Sequence, residues 1–433
     1  MSSISSANSD APELSPAEPS PVWKTLASLL PPRNPSCDYW WNLTGKQLAK
    51  MVQEAGYPVE KQYEALLLHY HWMVPSMGPP PSPKGKLTWP SLVNESGWPI
   101  EFSWRWNVRG KKPIVRYTIE GKDQFTGTAA DPLNQNASRK LLYGLMKSFP
   151  GVDLTWTNHF LSTLFQHDIS KYIQNHNSKG TRTSSLLVAA ELNPDRIAFK
   201  TYLVPQVPGL SPVPVSFYKD AIAQVCPVSG ACRALYRFLD GPCGPFFSTF
   251  FLGLDAAEPS ESRLKFYLYS PQCSFKIIRQ AMTLDGRRPV PAESIQELRS
   301  LVYAIAGVQP EFPDDREFPM ANPELSFKKA IPHPPCCYYF DIAPGRALPN
   351  VKLFFSMSSF GRDDLSLARV ITSYMDKHGK GDYSEGYLSM LQSLAPRRRL
   401  DEGKGVHSWL GCLVAEDGQL DVASYVTPDR RPQ

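Results

Sequence analysis

The sequence has no apolar run long enough to span a bilayer, no CxxC pair, no block of like charge beyond Arg397-Arg398-Arg399 and no aspartate-rich DDxxD motif. Each absence excludes something. The longest greasy stretch, Phe246 to Leu254, falls far short of the ~20 residues a membrane-spanning helix needs and is broken by Ser248, Thr249 and Gly253. The eight cysteines show no paired spacing, and a chain of 433 residues can bury a core without staples, so all eight read as reduced thiols. A formal charge of +5, from 46 Lys and Arg against 41 Asp and Glu, is too dilute for a nucleic-acid footprint. Asp314-Asp315-Arg316-Glu317 lies between prolines and Asp363-Asp364 reads as an acidic helix start, so no Mg²⁺ site is expected. His69-Tyr70-His71 lacks the HExxH spacing and reads as packing, and Gly241 to Pro245 is a loop without the phosphate-binding GxxxxGK pattern.

Met1 to Ser20 is rich in Ser, Pro, Ala and Glu, without a basic segment leading into an apolar one. It is expected to be disordered rather than a secretion signal or an anchor. A soluble, cytoplasmic protein is expected, folded over 21–428, with 429–433 as a tail. The length fits two or three domains, and it equally fits one large barrel.

Prolines and aromatics are abundant: 42 prolines, about twice the usual ~5 %, and 12 % Phe, Trp and Tyr. Helical periodicity marks Trp23 to Leu30, Tyr39 to Ala55 and Lys61 to Met73. Two alternating segments follow, Pro99 to Asn107 and Pro113 to Glu120, joined by a turn at Arg109-Gly110-Lys111. The order then recurs. Helices at Ala137 to Phe149 and Thr155 to His176 precede strands at Ser185 to Leu192 and Ile197 to Val204, and helices at Ser216 to Val225 and Gly230 to Leu239 precede Phe246 to Leu254 and Arg263 to Ser270. Ser274 to Leu284 and Glu293 to Ala306 precede Cys337 to Ile342 and Val351 to Met357, and Asp363 to Lys377 and Ser384 to Leu394 precede His407 to Ala415 and Leu420 to Thr427, with Asp417-Gly418 as the last turn. Hairpins separated by helix pairs can close into an antiparallel barrel with helices outside, and they also fit several α+β domains with open sheets.

The strand faces bear on that choice, because side chains alternate along a strand. One face carries Ile100, Phe102, Trp104, Val115, Tyr117, Phe199, Leu264, Phe266 and Leu353. The other carries Glu101, Arg116, Thr118, Lys200, Tyr202, Arg263, Lys265, Tyr267, Lys352 and Phe354. Such alternation most often marks a wet face over a core, but a wet face mixes charge signs. Here Arg116, Lys200, Arg263, Lys265 and Lys352 come from four hairpins beside tyrosines, with Glu101 the main acid, which points to a basic, aromatic lumen. Cations of this kind hold a diphosphate, Arg by forked hydrogen bonds and Lys by point charge, while aromatic faces stabilise a carbocation and exclude water. The combination suits ionisation of an allylic diphosphate and capture of the cation by an acceptor.

The segments WWNLTGKQLAKMVQEAGY (Trp40 to Tyr57), GWPIEFSW (Gly97 to Trp104), IVRYTIE (Ile114 to Glu120), GTAADPLN (Gly127 to Asn134), PGVDLTW (Pro150 to Trp156), FKTYLVP (Phe199 to Pro205) and SRLKFYLYS (Ser262 to Ser270) together resemble the fungal dimethylallyltryptophan synthase family of aromatic prenyltransferases. The resemblance runs from about Trp23 to Pro428. It implies an α+β fold, a single-domain αββα prenyltransferase barrel whose ten antiparallel strands line a solvent-filled lumen inside a ring of helices. It further implies metal-independent transfer of a dimethylallyl group to an aromatic acceptor in secondary metabolism. Arg116, Lys200, Arg263, Lys265 and Lys352 match the family's diphosphate-binding positions, Tyr202, Tyr267 and Tyr425 its tyrosine shield, and Glu101 the acid that accepts a hydrogen bond from an indole N–H. Phe354 stands where relatives commonly have a tyrosine, and Val414 and Asp421 stand at positions often occupied by tyrosine, so a thinner shield is expected there. The lysine that serves as proton acceptor in tryptophan C4-prenylating relatives would lie near Leu187 and is missing. Thr118 shapes access to the cation. The expected partners are therefore an allylic diphosphate and a small aromatic acceptor, first a tryptophan-derived indole such as a cyclic dipeptide. No metal, nucleic acid or membrane is expected, and the protein is expected as a monomer or homodimer. A phenolic acceptor on the same fold and a non-catalytic ligand-binding barrel are the alternatives.

Overall fold

The computed structural model describes residues 19–106, 111–165, 168, 170–173, 184–226, 229–320, 334–342 and 344–429. The expected disordered start and the tail therefore lie almost wholly outside the described residues, as do Arg109-Gly110 of the first turn and the end of the helix expected to run to His176. Ten strands form one closed barrel: β1 (Ile100–Arg105), β2 (Ile114–Glu120), β3 (Leu186–Leu192), β4 (Ile197–Leu203), β5 (Ser248–Asp255), β6 (Leu264–Ser270), β7 (Cys336–Asp341), β8 (Asn350–Ser356), β9 (His407–Val414) and β10 (Leu420–Val426). Every strand pairs antiparallel with its sequence neighbours, and β10 returns to pair with β1. Closure leaves no unpaired edge, so the open-sheet alternative falls.

The outward faces make the core. Ile100, Phe102, Trp104, Val115, Tyr117, Phe266 and Leu353 are buried under the helices; Trp104, for example, packs against Tyr387 of the helix Ser384–Leu394, ring centres 5.7 Å apart. Each such side chain contributes roughly 1.5–3 kcal/mol by burial. Four of the helices start at a side-chain capping oxygen: Asn34, Ser229, Ser274 and Asp363 accept from the backbone N–H of Cys37, Cys232, Ile277 and Ser366. At Gly418 the last hairpin turns with φ +83°, a conformation glycine adopts without strain.

Four features differ from the expectations. Trp41–Gly45 and His69–Met73 are π-helical turns inside otherwise helical runs; the indole of Trp41 lies where a side chain at residue 45 would project, a site that glycine leaves free. The helix beginning at Thr155 stops at Thr163. Cys273 and Cys336 are joined as a disulfide, which corrects the reading of eight reduced thiols: strand pairing brings the loop after β6 against the first residue of β7, with Cα atoms 6.1 Å apart. The other six cysteines are buried. Val414 faces outward into the core beside Leu420, and the inward positions of β9 are Trp409, Gly411 and Leu413. Among the described residues, no helix is long and apolar enough to cross a membrane.

Candidate active site

Register carries the site. Starting at Glu101, the inward residues align across strands as Glu101–Thr118, Arg116–Glu191, Lys200–Asp255, Lys265–Asp341, Tyr267–Tyr339, Tyr339–Lys352 and Phe354–Gly411. All the site residues read from the sequence fall into one lumen, which has two compartments. The aromatic one, about 760 Å³ including its mouth, is lined by Glu101, Thr118, Tyr202, Phe354, Leu187 and Trp409 among others. The charged one, about 940 Å³, is lined by Lys200, Arg263, Lys265, Lys352, Arg105 and Arg346 with Glu191, Asp341 and Asp421. Arg116, Tyr267 and Tyr425 line both and mark the boundary.

The boundary is a ring of stacked and edge-on aromatics. Tyr267 lies 4.1 Å from Phe251, 6.1 Å from Tyr202 and 5.7 Å from Phe354, and Phe354 lies 5.5 Å from Tyr425. The Arg116 guanidinium donates to the Tyr425 hydroxyl and sits 5.3 Å from that ring's centre. Tyr339, which sequence reasoning missed, faces inward between Tyr267 and Lys352, with the Lys265 ammonium 5.7 Å from its ring. Its signal was present: Cys337, Tyr339 and Asp341 alternate with buried Tyr338 and Phe340. Phe250 and Phe251 both reach the lumen because a bulge between Thr249 and Leu252 breaks the alternation of β5. A reading by strict alternation places only one of them there.

Asp255, the last residue of β5, holds the cations in place. Its carboxylate accepts from Lys200 Nζ at 3.0 Å and Arg263 Nε at 2.6 Å, with Lys265 Nζ at 3.5 Å. Burial would raise its pKa, but these cations hold it far below the carboxylate range. Burial likewise works against the Glu191 charge, and Lys200 and Arg116 overcome it, holding that carboxyl at about 2. Lys265 is pushed down to about 7 by burial and by the like charges of Lys200 and Arg263, which outweigh Asp255. Lys352 is lowered to about 8, chiefly by burial. Arg105 pairs with Asp421 at 2.7 Å.

In the aromatic compartment, burial raises Glu101 to about 8, against the opposing pull of a 2.7 Å hydrogen bond from Ser408 Oγ and the charge of Arg116. Leu187, at the position of the missing proton-accepting lysine, lines the wall. An arrangement with cations beneath, a layer of π-faces between and one carboxyl above can hold an anionic leaving group, shelter a cation and orient an N–H or O–H donor.

The model of the family described as Tryptophan dimethylallyltransferase matches residues 36–390. The chain belongs to that family. It is 44 % identical over 420 residues to Prenyltransferase anuH of Penicillium roqueforti, covering 95 % of this chain and 93 % of that one, and 37 % identical to Xanthone prenyltransferase B of Emericella nidulans, covering 94 % and 91 %. In fold it is similar to AnaPT from Neosartorya fischeri, with a TM-score of 0.80 at 23 % identity over 94 % of this chain and 98 % of that one. The protein is thus a prenyltransferase of this family, and its fold is the αββα prenyltransferase barrel.

Proposed function

We propose that this prenyltransferase transfers a dimethylallyl group from dimethylallyl diphosphate to an electron-rich aromatic ring, in the first instance an indole, without a metal ion. One observation carries the reading: a single lumen holds Lys200, Arg263, Lys265 and Lys352 in one compartment and Glu101 and Tyr202 in the other, with Arg116, Tyr267 and Tyr425 at the boundary between them. The cations bind the diphosphate and stabilise the charge that develops as the C–O bond breaks. The tyrosines and Phe354 shield the allylic cation from water, and Thr118 bounds the space open to the ring. Glu101 accepts a hydrogen bond from the acceptor's N–H, which raises electron density at the attacking carbon. The ring carbon bonds to the allylic cation left when the C–O bond breaks, and the displaced ring proton passes to the released diphosphate, which restores aromaticity.

A phenolic acceptor is the second reading. It is favoured by the likeness to a xanthone prenyltransferase and by Leu187, which leaves that wall apolar. Incubation with dimethylallyl diphosphate, EDTA and a panel of indoles and phenols, read by diphosphate release and product mass, tests all of this. Acceptor-dependent release in EDTA is expected. Glu101→Gln should abolish turnover of an indole while leaving donor KM nearly unchanged; unaltered indole turnover selects the phenol, and no release with any acceptor leaves a ligand-binding barrel.

A further inference from the structure

Glu101 is held by a residue that the sequence gives no reason to select. Between β9 and β10 the register slips, so that Tyr425 faces Trp409 while Val426 faces His407, and Ser408 is the extra residue of a bulge. The bulge frees Ser408 from the inward–outward alternation and aims its hydroxyl at Glu101 Oε1, 2.7 Å away, with both side chains buried. Behind it lies a charged assembly outside the lumen. The Asp364 carboxylate accepts from the backbone N–H of Val406 at 3.1 Å and of His407 at 3.0 Å, lies 2.9 Å from His407 Nδ1, and is paired with Arg398, which also binds Asp429. The other ring nitrogen of His407 is 3.0 Å from the Tyr387 hydroxyl. Asp364 thus holds the two residues immediately before the bulge directly, while Arg398 holds Asp364 and Tyr387 meets the His407 ring.

We propose that Ser408 is a positioning residue of the acceptor site: held by the Asp364–His407–Arg398 assembly, its hydroxyl occupies one oxygen of Glu101, favours the ionised carboxylate and leaves the second oxygen to the acceptor. The inference rests on the reading of Glu101 given above. The charged and titratable groups around Glu101 are Arg116 on β2, Glu95 in the loop before β1 and Tyr425 on β10. A hydroxyl donor to an ionised carboxylate favours that form. Its loss therefore moves the carboxyl upward.

The test is the titration of Glu101 in the full chain, followed by isotope-edited infrared spectroscopy of ¹³C-labelled glutamate, with Glu101→Gln identifying its band. Ser408→Ala should move the midpoint up by about one unit, a tenfold loss of carboxylate below the midpoint. The acid limb of turnover with dimethylallyl diphosphate and an indole should move by the same amount, with donor KM unchanged. Ser408→Thr should restore both. A wild-type midpoint in Ser408→Ala overturns the inference, and so does a fall in turnover at every pH without movement of the midpoint. Failure of the Glu101 reading shows separately, as Glu101→Gln leaving indole turnover intact.

Discussion

Lys265 sits where three demands conflict. It must carry charge to hold a diphosphate, yet it is buried, its neighbours Lys200 and Arg263 repel a further positive charge, and Asp255 at 3.5 Å offsets only part of this. The outcome is an ammonium that titrates at about 7, so a fraction of the empty enzyme lacks one of its cations at neutral pH. Sign follows directly. Below that pKa Lys265 is charged and the donor site is complete; above it the site loses a charge, and Lys352, lowered to about 8, follows. Because donor and proton favour the same form, each raises the affinity for the other. The KM for dimethylallyl diphosphate should therefore rise several-fold between pH 7 and 9. Lys265→Arg, which keeps its charge across that range, should remove the part of the rise near pH 7 and leave the part that Lys352 carries nearer pH 8. A donor KM that does not change from pH 6 to 9 in the wild type would show that Lys265 stays protonated.

At the level of strands, Gly253 shows why the lumen has the shape it has. It lies inward on β5 between Tyr202 and Lys265, and a Cβ there would come within 3.0–3.1 Å of the rings of Tyr267 and Tyr202. Its φ is not positive, so the constraint is space rather than backbone. Gly253→Ala should cost about 1–3 kcal/mol by overpacking, read as a lower Tm. It should also push the two tyrosines apart, raising the share of donor hydrolysed to alcohol relative to donor transferred. An unchanged product ratio would mean that the rings give way without opening the shield. Elements of this kind also show what was legible in the sequence. The hairpins and their inward cations were readable because a period of two and a change from apolar to cationic residues survive in the local sequence. Asp255, Tyr339 and Ser408 were not picked out. Asp255 gains meaning only from cations on β4 and β6, and Ser408 only from a bulge that breaks the period on which the reading depended. Val414 was misplaced for a related reason: one residue of phase in β9 exchanges the two faces.

Across the whole molecule, closure joins residues far apart in the chain. Arg105 on β1 and Asp421 on β10 form an ion pair across the seam where the first and last hairpins meet, and the same seam brings Tyr425 to Arg116. The net charge of +5 gives no hint of the lumen, where Arg105, Arg116, Lys200, Arg263, Lys265, Arg346 and Lys352 face Glu191, Asp341 and Asp421 around one compartment. An anion entering that compartment contacts strands from every part of the barrel, so its binding should stabilise the fold as a unit. Inorganic pyrophosphate, the leaving group without its alkyl chain, should raise Tm in the absence of any metal. A ligand at 100 times its Kd adds about 2.7 kcal/mol, which should appear as a rise of a few degrees in a thermal melt. EDTA should not diminish the shift, because the lumen cations supply the countercharge. Lys200→Ala and Arg263→Ala should each reduce it, and added NaCl should weaken it less than it would weaken a surface site, since buried charges are screened poorly. A shift seen only with Mg²⁺ would place the countercharge in a metal ion rather than in the barrel.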